Sequence, residues 1–169
     1  MFRNPSPRLF AAAAVATLAV ASLAGCATKA DPASWSGAAS ECANGVQVVV
    51  DYGILEHAAV SKCVAAVGDN GAKKVLADAG LSVAGTDKYP DLALCRLGGL
   101  PSATKSFQLD GKAYTEPCKD FPPMNAYWAI WTKDAGQQWK MAEVGINDVH
   151  LVPGSSIALL FGDGSKTPA

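Results

Sequence analysis

The five cysteines are the residues whose type and spacing could do chemistry in this chain: Cys26, Cys42, Cys63, Cys95 and Cys118. A cysteine thiol can form a disulfide, bind a metal ion or accept a covalent lipid. The surrounding sequence indicates which of these reactions each cysteine undergoes. Zinc binding is disfavoured, because no two cysteines have the two-residue spacing of a structural zinc site. The histidines, His57 and His150, also lack ligand spacing. We therefore expect no metal ion and no other cofactor.

The apolar run before Cys26 has the pattern of a secretory signal. Arg3 and Arg8 precede it, and residues 9–25 read LFAAAAVATLAVASLAG. A basic segment followed by an apolar one is typical of a secretory leader. The run is also too short and too rich in alanine for a good membrane-spanning helix. We therefore expect residues 1–25 to be a signal peptide.

The residues at the end of this leader resemble the lipobox of bacterial lipoproteins: Leu23, Ala24, Gly25 and Cys26. The resemblance implies that the Cys26 thiol accepts a diacylglyceryl group and that the small residues before it fit the cleft of the signal peptidase. The mature protein then begins at Cys26 and is anchored by lipid to the outer face of the cell membrane. The alternative is that Cys26 lies by chance near an ordinary cleavage site.

Four cysteines remain after Cys26, and they suggest two disulfides. An even number of cysteines outside the cytoplasm is typical of a disulfide framework. Four cysteines allow three connectivities, and we favour Cys42–Cys63 with Cys95–Cys118, because each pair closes a loop of moderate length beside a predicted strand. Each bond should stabilise the fold by roughly 3 kcal/mol in the loop-entropy account.

Composition divides the mature chain into a tether and one domain. Residues 26–41 are rich in Ala, Ser and Gly, and we expect them to form a lipidated, flexible tether. Residues 42–162 are enough for a single domain with its own core, and residues 163–169 are expected to be a frayed tail. The formal net charge is −1 and the basic residues are scattered, which disfavours nucleic-acid binding.

Hydrophobic patterning predicts one main helix among several strands. Residues 69–80 have apolar positions at helical spacing, with Asp69 as the expected N-terminal cap and Gly80 as the expected end. The Asp110-Gly111 pair indicates a turn. The predicted strands include residues 46–52, a hairpin of 126–132 with 138–143, and residues 156–161. The pattern favours an α+β fold, in which one main helix packs on a mostly antiparallel sheet.

Several segments of the domain resemble a known family. They are CRLGG at 95–99, YWAIW at 127–131, Trp139, Gly145, and a closing segment that runs from VPG at 152–154 to Phe161-Gly162. In this order they resemble secreted actinobacterial proteins of the transcobalamin C-terminal-like group, over about residues 46–162. The resemblance implies a β-grasp-like domain. In transcobalamin that domain closes over a corrinoid, and some members occur beside vitamin-uptake transporters.

The aromatic hairpin supplies the candidate binding residues: Tyr127, Trp128, Trp131 and Trp139. Alternate residues of a strand share a face, so Tyr127 and Trp131 point one way and Trp128 the other. One face must cover the core helix, and the other presents aromatic rings unless something covers it. Exposed Tyr and Trp rings suit flat ligands and protein partners. The alternative is that the rings are core residues and cross-strand pairs.

Catalysis is disfavoured by the sequence. No serine lies in a GxSxG nucleophile motif, and His57 has no identifiable partner. Asp51 is the one acid in an apolar strand, and it is more typical of a strand end than of a catalytic acid. We therefore expect no catalytic residue and no enzymatic activity.

These patterns favour a non-catalytic binding or accessory module, held outside the cytoplasm by its lipid. Its partner would be a small hydrophobic or corrinoid-like ligand or an uptake transporter. The alternative is a structural or protein-interaction component of the cell envelope with no small ligand. A concave aromatic pocket would favour a ligand, and a flat exposed patch would favour a protein.

Overall fold

The computed structural model describes residues 42–168. The predicted signal peptide, Cys26 and the predicted tether lie outside these residues. Within residues 42–168, no helix is long and apolar enough to cross a membrane. The elements are β1 (Gly45–Asp51), β2 (Val60–Ala65), β3 (Asn70–Gly71), α1 (Ala72–Asp78), β4 (Val83–Gly85), β5 (Leu94–Leu97), β6 (Phe107–Leu109), β7 (Lys112–Tyr114), β8 (Tyr127–Lys133), β9 (Lys140–Met141), β10 (His150–Leu151) and β11 (Ser156–Gly162).

A five-stranded sheet with the order β2-β1-β11-β8-β9 organises the described residues. The central strands β1 and β11 pair in parallel, and every other pair is antiparallel. Three two-stranded sheets, β10-β3, β4-β5 and β6-β7, accompany it. The predicted α+β class and the mostly antiparallel sheet are confirmed.

The main core lies on one face of the large sheet, which we call the helix face. Val48 of β1 and Ile157 of β11 point to this side, where they meet the buried residues Val75 and Leu76 of α1. Burial of each of these side chains stabilises the fold by about 2 kcal/mol. The near-continuous apolar runs of β1 and β11 explain their central position, because both faces of these strands are buried.

The helix begins later than the sequence predicts, and the expectation for Asp69 is wrong. Residues 70–71 form β3, which pairs with β10, and this extended backbone prevents an earlier start. Gly71 takes the N-cap position without a side-chain cap. The Asp69 carboxylate instead contacts Nδ1 of His150 at 3.1 Å. Gly80 follows α1 with a φ of +82°, as expected for the end of a helix.

Sequence patterning gave no assignment to residues 53–68, and the structure places the edge strand β2 there. Its side chains are mostly exposed, so it lacks the apolar pattern of an inner strand. Pairing with β1 fixes it in the sheet. The predicted strands 46–52 and 156–161 and the first hairpin strand agree closely with β1, β11 and β8. The second hairpin strand, predicted over residues 138–143, is limited to β9, so Trp139 lies just before it. The Asp110-Gly111 turn joins β6 to β7, with φ values of +51° and +74°.

Candidate binding surfaces

Both predicted cysteine pairs lie at disulfide distance in the structure. Cys42 is bonded to Cys63 with a Cα–Cα distance of 5.4 Å, and Cys95 to Cys118 with one of 5.7 Å. The two bonds differ in exposure. Cys63 is exposed on the edge strand β2, whereas Cys95 and Cys118 are both buried.

The buried disulfide adjoins a buried carboxylate. Ligand atoms of Cys95, Glu116 and Cys118 lie within 4.8 Å of one another. This group cannot bind a metal ion as it stands, because the two sulfurs are bonded to each other and offer no thiolate. Glu116 instead accepts hydrogen bonds from the Cys118 backbone N–H at 2.7 Å and from the Tyr114 hydroxyl at 3.0 Å. The Glu116 side chain therefore fixes the backbone beside the disulfide.

The predicted aromatic residues lie on opposite faces of the sheet. Trp128 points to the helix face, where it is buried and forms edge-to-face contacts with Tyr52 and Phe161. Its Nε1–H donates to the Leu100 carbonyl at 3.3 Å. Trp128 is thus a core residue with a satisfied polar atom, and it is not available to a partner. For Trp128, the alternative that the hairpin rings are core residues is therefore correct.

Trp131 and Trp139 lie on the other face of the sheet, which we call the outer face. Both are half-buried, and they pack on a small apolar cluster of Val49, Ala158 and Leu160. The Lys133 ammonium lies 5.5 Å from the centroid of the Trp139 ring, within the distance of a cation–π contact. The two indoles therefore extend the small apolar cluster on the outer face.

Tyr127 closes one end of the outer face together with the chain that follows β11. A Cβ atom on Gly164 would lie 2.0 Å from the Tyr127 hydroxyl, so only glycine fits against the ring. Lys166 lies 3.9 Å from the Asp51 carboxylate. Asp51 also accepts a hydrogen bond from the Gly53 backbone N–H at 2.8 Å, a strand-end role that agrees with the sequence expectation.

A second aromatic surface lies on loops that the sequence analysis did not select. Tyr89 and Phe121 stack with ring centroids 4.3 Å apart and an interplanar angle of 27°. Phe121 and Leu92 are each 56% exposed, and Val144 is also exposed. A Cβ on Gly145 would come within 3.0 Å of the Leu92 Cα, so the loop that carries Val144 adjoins Leu92. We call Tyr89, Leu92, Phe121 and Val144 the loop patch.

Backbone hydrogen bonds and one disulfide hold the loop patch in place. The backbone N–H groups of Asp87 and Lys88 donate to the carbonyls of Cys118 and Lys119, at 2.7 and 3.2 Å. The Cys95–Cys118 disulfide joins the same two segments a few residues away. The half-buried Tyr89 ring and the exposed Phe121 ring therefore lie on a constrained pair of loops, which is the usual placement of binding residues on a rigid scaffold.

Charges of both signs surround the patch. The Lys88 ammonium donates to the Asp120 carboxylate at 2.9 Å and lies 5.1 Å from the centroid of the Tyr89 ring. The hydrogen bond to Asp120 raises the pKa of Lys88, and the same bond lowers the pKa of Asp120. Asp87, Asp91 and Lys119 are also exposed nearby. The border of the patch is thus mixed in charge and is not basic.

Little in the sequence distinguishes Tyr89 and Phe121 in advance. Each stands next to proline, in KYPDL and DFPPM, and each lies within a few residues of a cysteine of the buried pair. Aromatic residues in proline-containing loops beside disulfide cysteines could have been selected from the sequence as candidates. The contact between the rings, however, joins residues far apart in the chain and depends on the tertiary fold.

The sequence comparisons give no family for this chain. No protein-family model matches it, and neither the curated proteins nor the solved structures include a significant match.

Proposed function

We propose that this protein is a non-catalytic binding module, anchored by a lipid on Cys26 to the outer face of the cell membrane, and that the loop patch contacts its partner. The observation that carries the proposal is the stack of the exposed Phe121 ring on the half-buried Tyr89 ring, on loops fixed by a disulfide. Rigid aromatic rings provide a large contact area and lose little conformational entropy on binding. The lipobox-like residues before Cys26 support the location.

The partner class that we favour is a protein of the cell envelope, such as a transporter subunit. Exposed apolar side chains on adjoining loops suit a protein surface. The mixed charges of Lys88, Asp120 and their neighbours suit a protein better than an anionic lipid surface, which attracts clusters of basic residues. The earlier hypothesis of a corrinoid-like ligand and a β-grasp-like domain depends on the family resemblance alone, and we retain it as the second candidate.

Affinity purification of the lipidated protein from its own membranes tests the proposal. Phe121→Ser combined with Leu92→Ser should remove the co-purified partner, because both changes replace exposed apolar surface with hydroxyl groups. Val67→Ser is the matched control, since Val67 is 93% exposed on a different loop. The control should retain the partner.

Two outcomes would contradict the proposal. One is the same set of co-purified proteins from the double variant and the control. The other is a small molecule of defined mass in native mass spectrometry that the double variant still binds. The second outcome would favour the small-ligand candidate at a different surface.

A further inference from the structure

The buried carboxylate of Glu116 has no cation partner among residues 42–168. Glu116 is 3% exposed, and none of the ion pairs formed by these residues includes it. The Arg96 guanidinium donates to the backbone carbonyls of Pro101 and Glu116 and not to the carboxylate. Carboxylates that are removed from water are generally paired with a cation or bound to a metal ion. The Glu116 carboxylate is therefore a candidate ligand for a cation.

The two sulfur atoms of the buried disulfide lie beside this carboxylate. One ligand atom from each of Cys95, Glu116 and Cys118 lies within 4.8 Å of the others. In a tetrahedral zinc site the bonds are about 2.3 Å to sulfur and about 2.1 Å to oxygen, so neighbouring ligand atoms are roughly 3.5–3.8 Å apart. The carboxylate and the sulfurs are therefore close enough to share one metal ion once the two sulfurs are no longer bonded to each other.

Bonds other than the disulfide hold both cysteines in place. Cys95 lies in β5, which pairs with β4. The Cys118 N–H donates to the Glu116 carboxylate at 2.7 Å, and the Cys118 carbonyl accepts from the Asp87 N–H at 2.7 Å. Because none of these bonds involves sulfur, reduction leaves two thiols beside the carboxylate. The Tyr114 hydroxyl also donates to the carboxylate, and hydrogen bonds of this kind orient the ligands of metal sites.

The spacing of these residues in the sequence does not indicate a metal site. Cys95 and Cys118 are 23 positions apart, whereas the paired cysteines of a structural zinc site are typically about two to four residues apart. Glu116 lies two residues before Cys118, and its hydrogen bond to the Cys118 backbone turns the carboxylate toward the sulfurs. The three side chains meet only because the fold brings β5 and the loop of Cys118 together.

We propose that reduction of the Cys95–Cys118 disulfide creates a buried metal site, in which the two thiolates and the Glu116 carboxylate bind a zinc-like ion. Thiolate ligands select zinc over magnesium and calcium, which prefer oxygen ligands. A water molecule would complete a tetrahedral set of ligands. The disulfide-bonded chain offers no thiolate, so metal binding is confined to the reduced chain. The site lies in the interior, and its existence does not depend on the partner of the loop patch.

The reductant in this reaction is a dithiol. One of its thiolates attacks a sulfur of the Cys95–Cys118 bond and forms a mixed disulfide, and its second thiol then displaces the protein sulfur. The reductant leaves as a cyclic disulfide, and the protein has gained two electrons and two protons. Zinc binding then releases the two thiol protons to the solvent, because only the thiolate form of cysteine binds the metal.

Titration of the full mature protein with Co²⁺, a spectroscopic substitute for zinc, tests the inference. The protein is fully reduced with a dithiol, which is then removed without oxygen. The reduced chain should bind one Co²⁺ with thiolate charge-transfer absorption, and the oxidised chain should show none. Glu116→Gln keeps a hydrogen-bond acceptor but loses the charge, and it should bind Co²⁺ at least about tenfold more weakly. Glu143→Gln is the matched control, because Glu143 is exposed, and it should bind like the native protein.

Alkylation of the unmutated, reduced chain gives a second measurement that does not depend on the folding of any variant. Zinc should slow the labelling of Cys95 and Cys118 at least about tenfold, because a bound thiolate is a poor nucleophile. Labelling of Cys42 and Cys63 should be unchanged, as judged by peptide mass spectrometry. An equal effect of zinc on both cysteine pairs, no effect on either, or equal Co²⁺ affinity of Glu116→Gln and the native protein would overturn the inference. Partner capture by the loop patch is measured on the oxidised chain, so the two proposals fail separately.

Discussion

At the scale of single residues, neighbours on one strand have different roles. Strand alternation predicts that Trp128 and Trp131 face opposite ways, and the structure confirms it. Alternation cannot tell which face meets the helix, because that depends on packing between distant segments. The ring contacts of Trp128 with Tyr52 and Phe161 answer this question and assign Trp128 to the core.

Trp128→Ala should lower the free energy of unfolding by about 3–5 kcal/mol, since it leaves a large cavity in the core. Trp131→Ala should lower it by about 1–2 kcal/mol, because Trp131 is only half-buried. Urea denaturation of the two variants measures the difference. Equal losses of the free energy of unfolding in the two variants would contradict the assignment of Trp128 to the core and of Trp131 to the less buried outer face.

The phenol of Tyr114 links stability to pH. Burial, reinforced by the Glu116 carboxylate, raises the pKa of Tyr114 to about 12 from 10.0. The folded state therefore holds this proton more tightly, so its stabilisation is complete below pH 10 and is lost as the pH rises toward 12. Between these values the free energy of unfolding should fall more steeply in the native protein than in Tyr114→Phe. Parallel pH profiles would show that Tyr114 does not titrate in this way.

At the scale of elements, the two disulfides hold different parts of the fold. One fixes the edge strand β2 beside the start of β1, and the other joins the loops beneath the loop patch. The even cysteine count and the spacing in the sequence were sufficient to predict both pairs. The start of α1 was not predictable in the same way, because the pairing of β3 with β10 joins residues about 80 positions apart.

A brief treatment with a dithiol reductant should open Cys42–Cys63 before Cys95–Cys118. The reason is access for the attacking thiolate: Cys63 is an exposed residue, whereas both cysteines of the second bond are buried. Timed alkylation followed by peptide mass spectrometry identifies the first thiols. Early labelling of Cys95 and Cys118 would contradict the exposure of the two bonds in the structure.

At the scale of the whole molecule, residues 42–168 form an α+β domain, to which we add a lipid anchor as a proposal. Composition and hydrophobic patterning were sufficient for the fold class, because the long apolar strands and the periodic helix each carry a local signal. The loop patch has no such signal, since Tyr89 and Phe121 meet only through the folding of two proline-containing loops. The proposed binding residues on these loops are the part of this protein that its sequence reveals least.

Replacing the predicted lipid-bearing residue tests the anchor. Cys26→Ser removes the thiol that would accept the diacylglyceryl group. The variant should either remain uncleaved or leave the membrane fraction, as judged by fractionation and intact-protein mass spectrometry. A variant that is processed normally and stays on the membrane would contradict the lipoprotein assignment, whereas Ala27→Ser should behave like the native protein.

The most direct test of the proposed binding function is site-specific photo-crosslinking in the native membrane. A photoreactive residue is placed at position 121 in the loop patch and, as a control, at the more exposed position 67. The account predicts a discrete adduct with one envelope protein from position 121 and none from position 67. Identical adducts from both positions, or none from position 121, would contradict the claim that the loop patch contacts a partner.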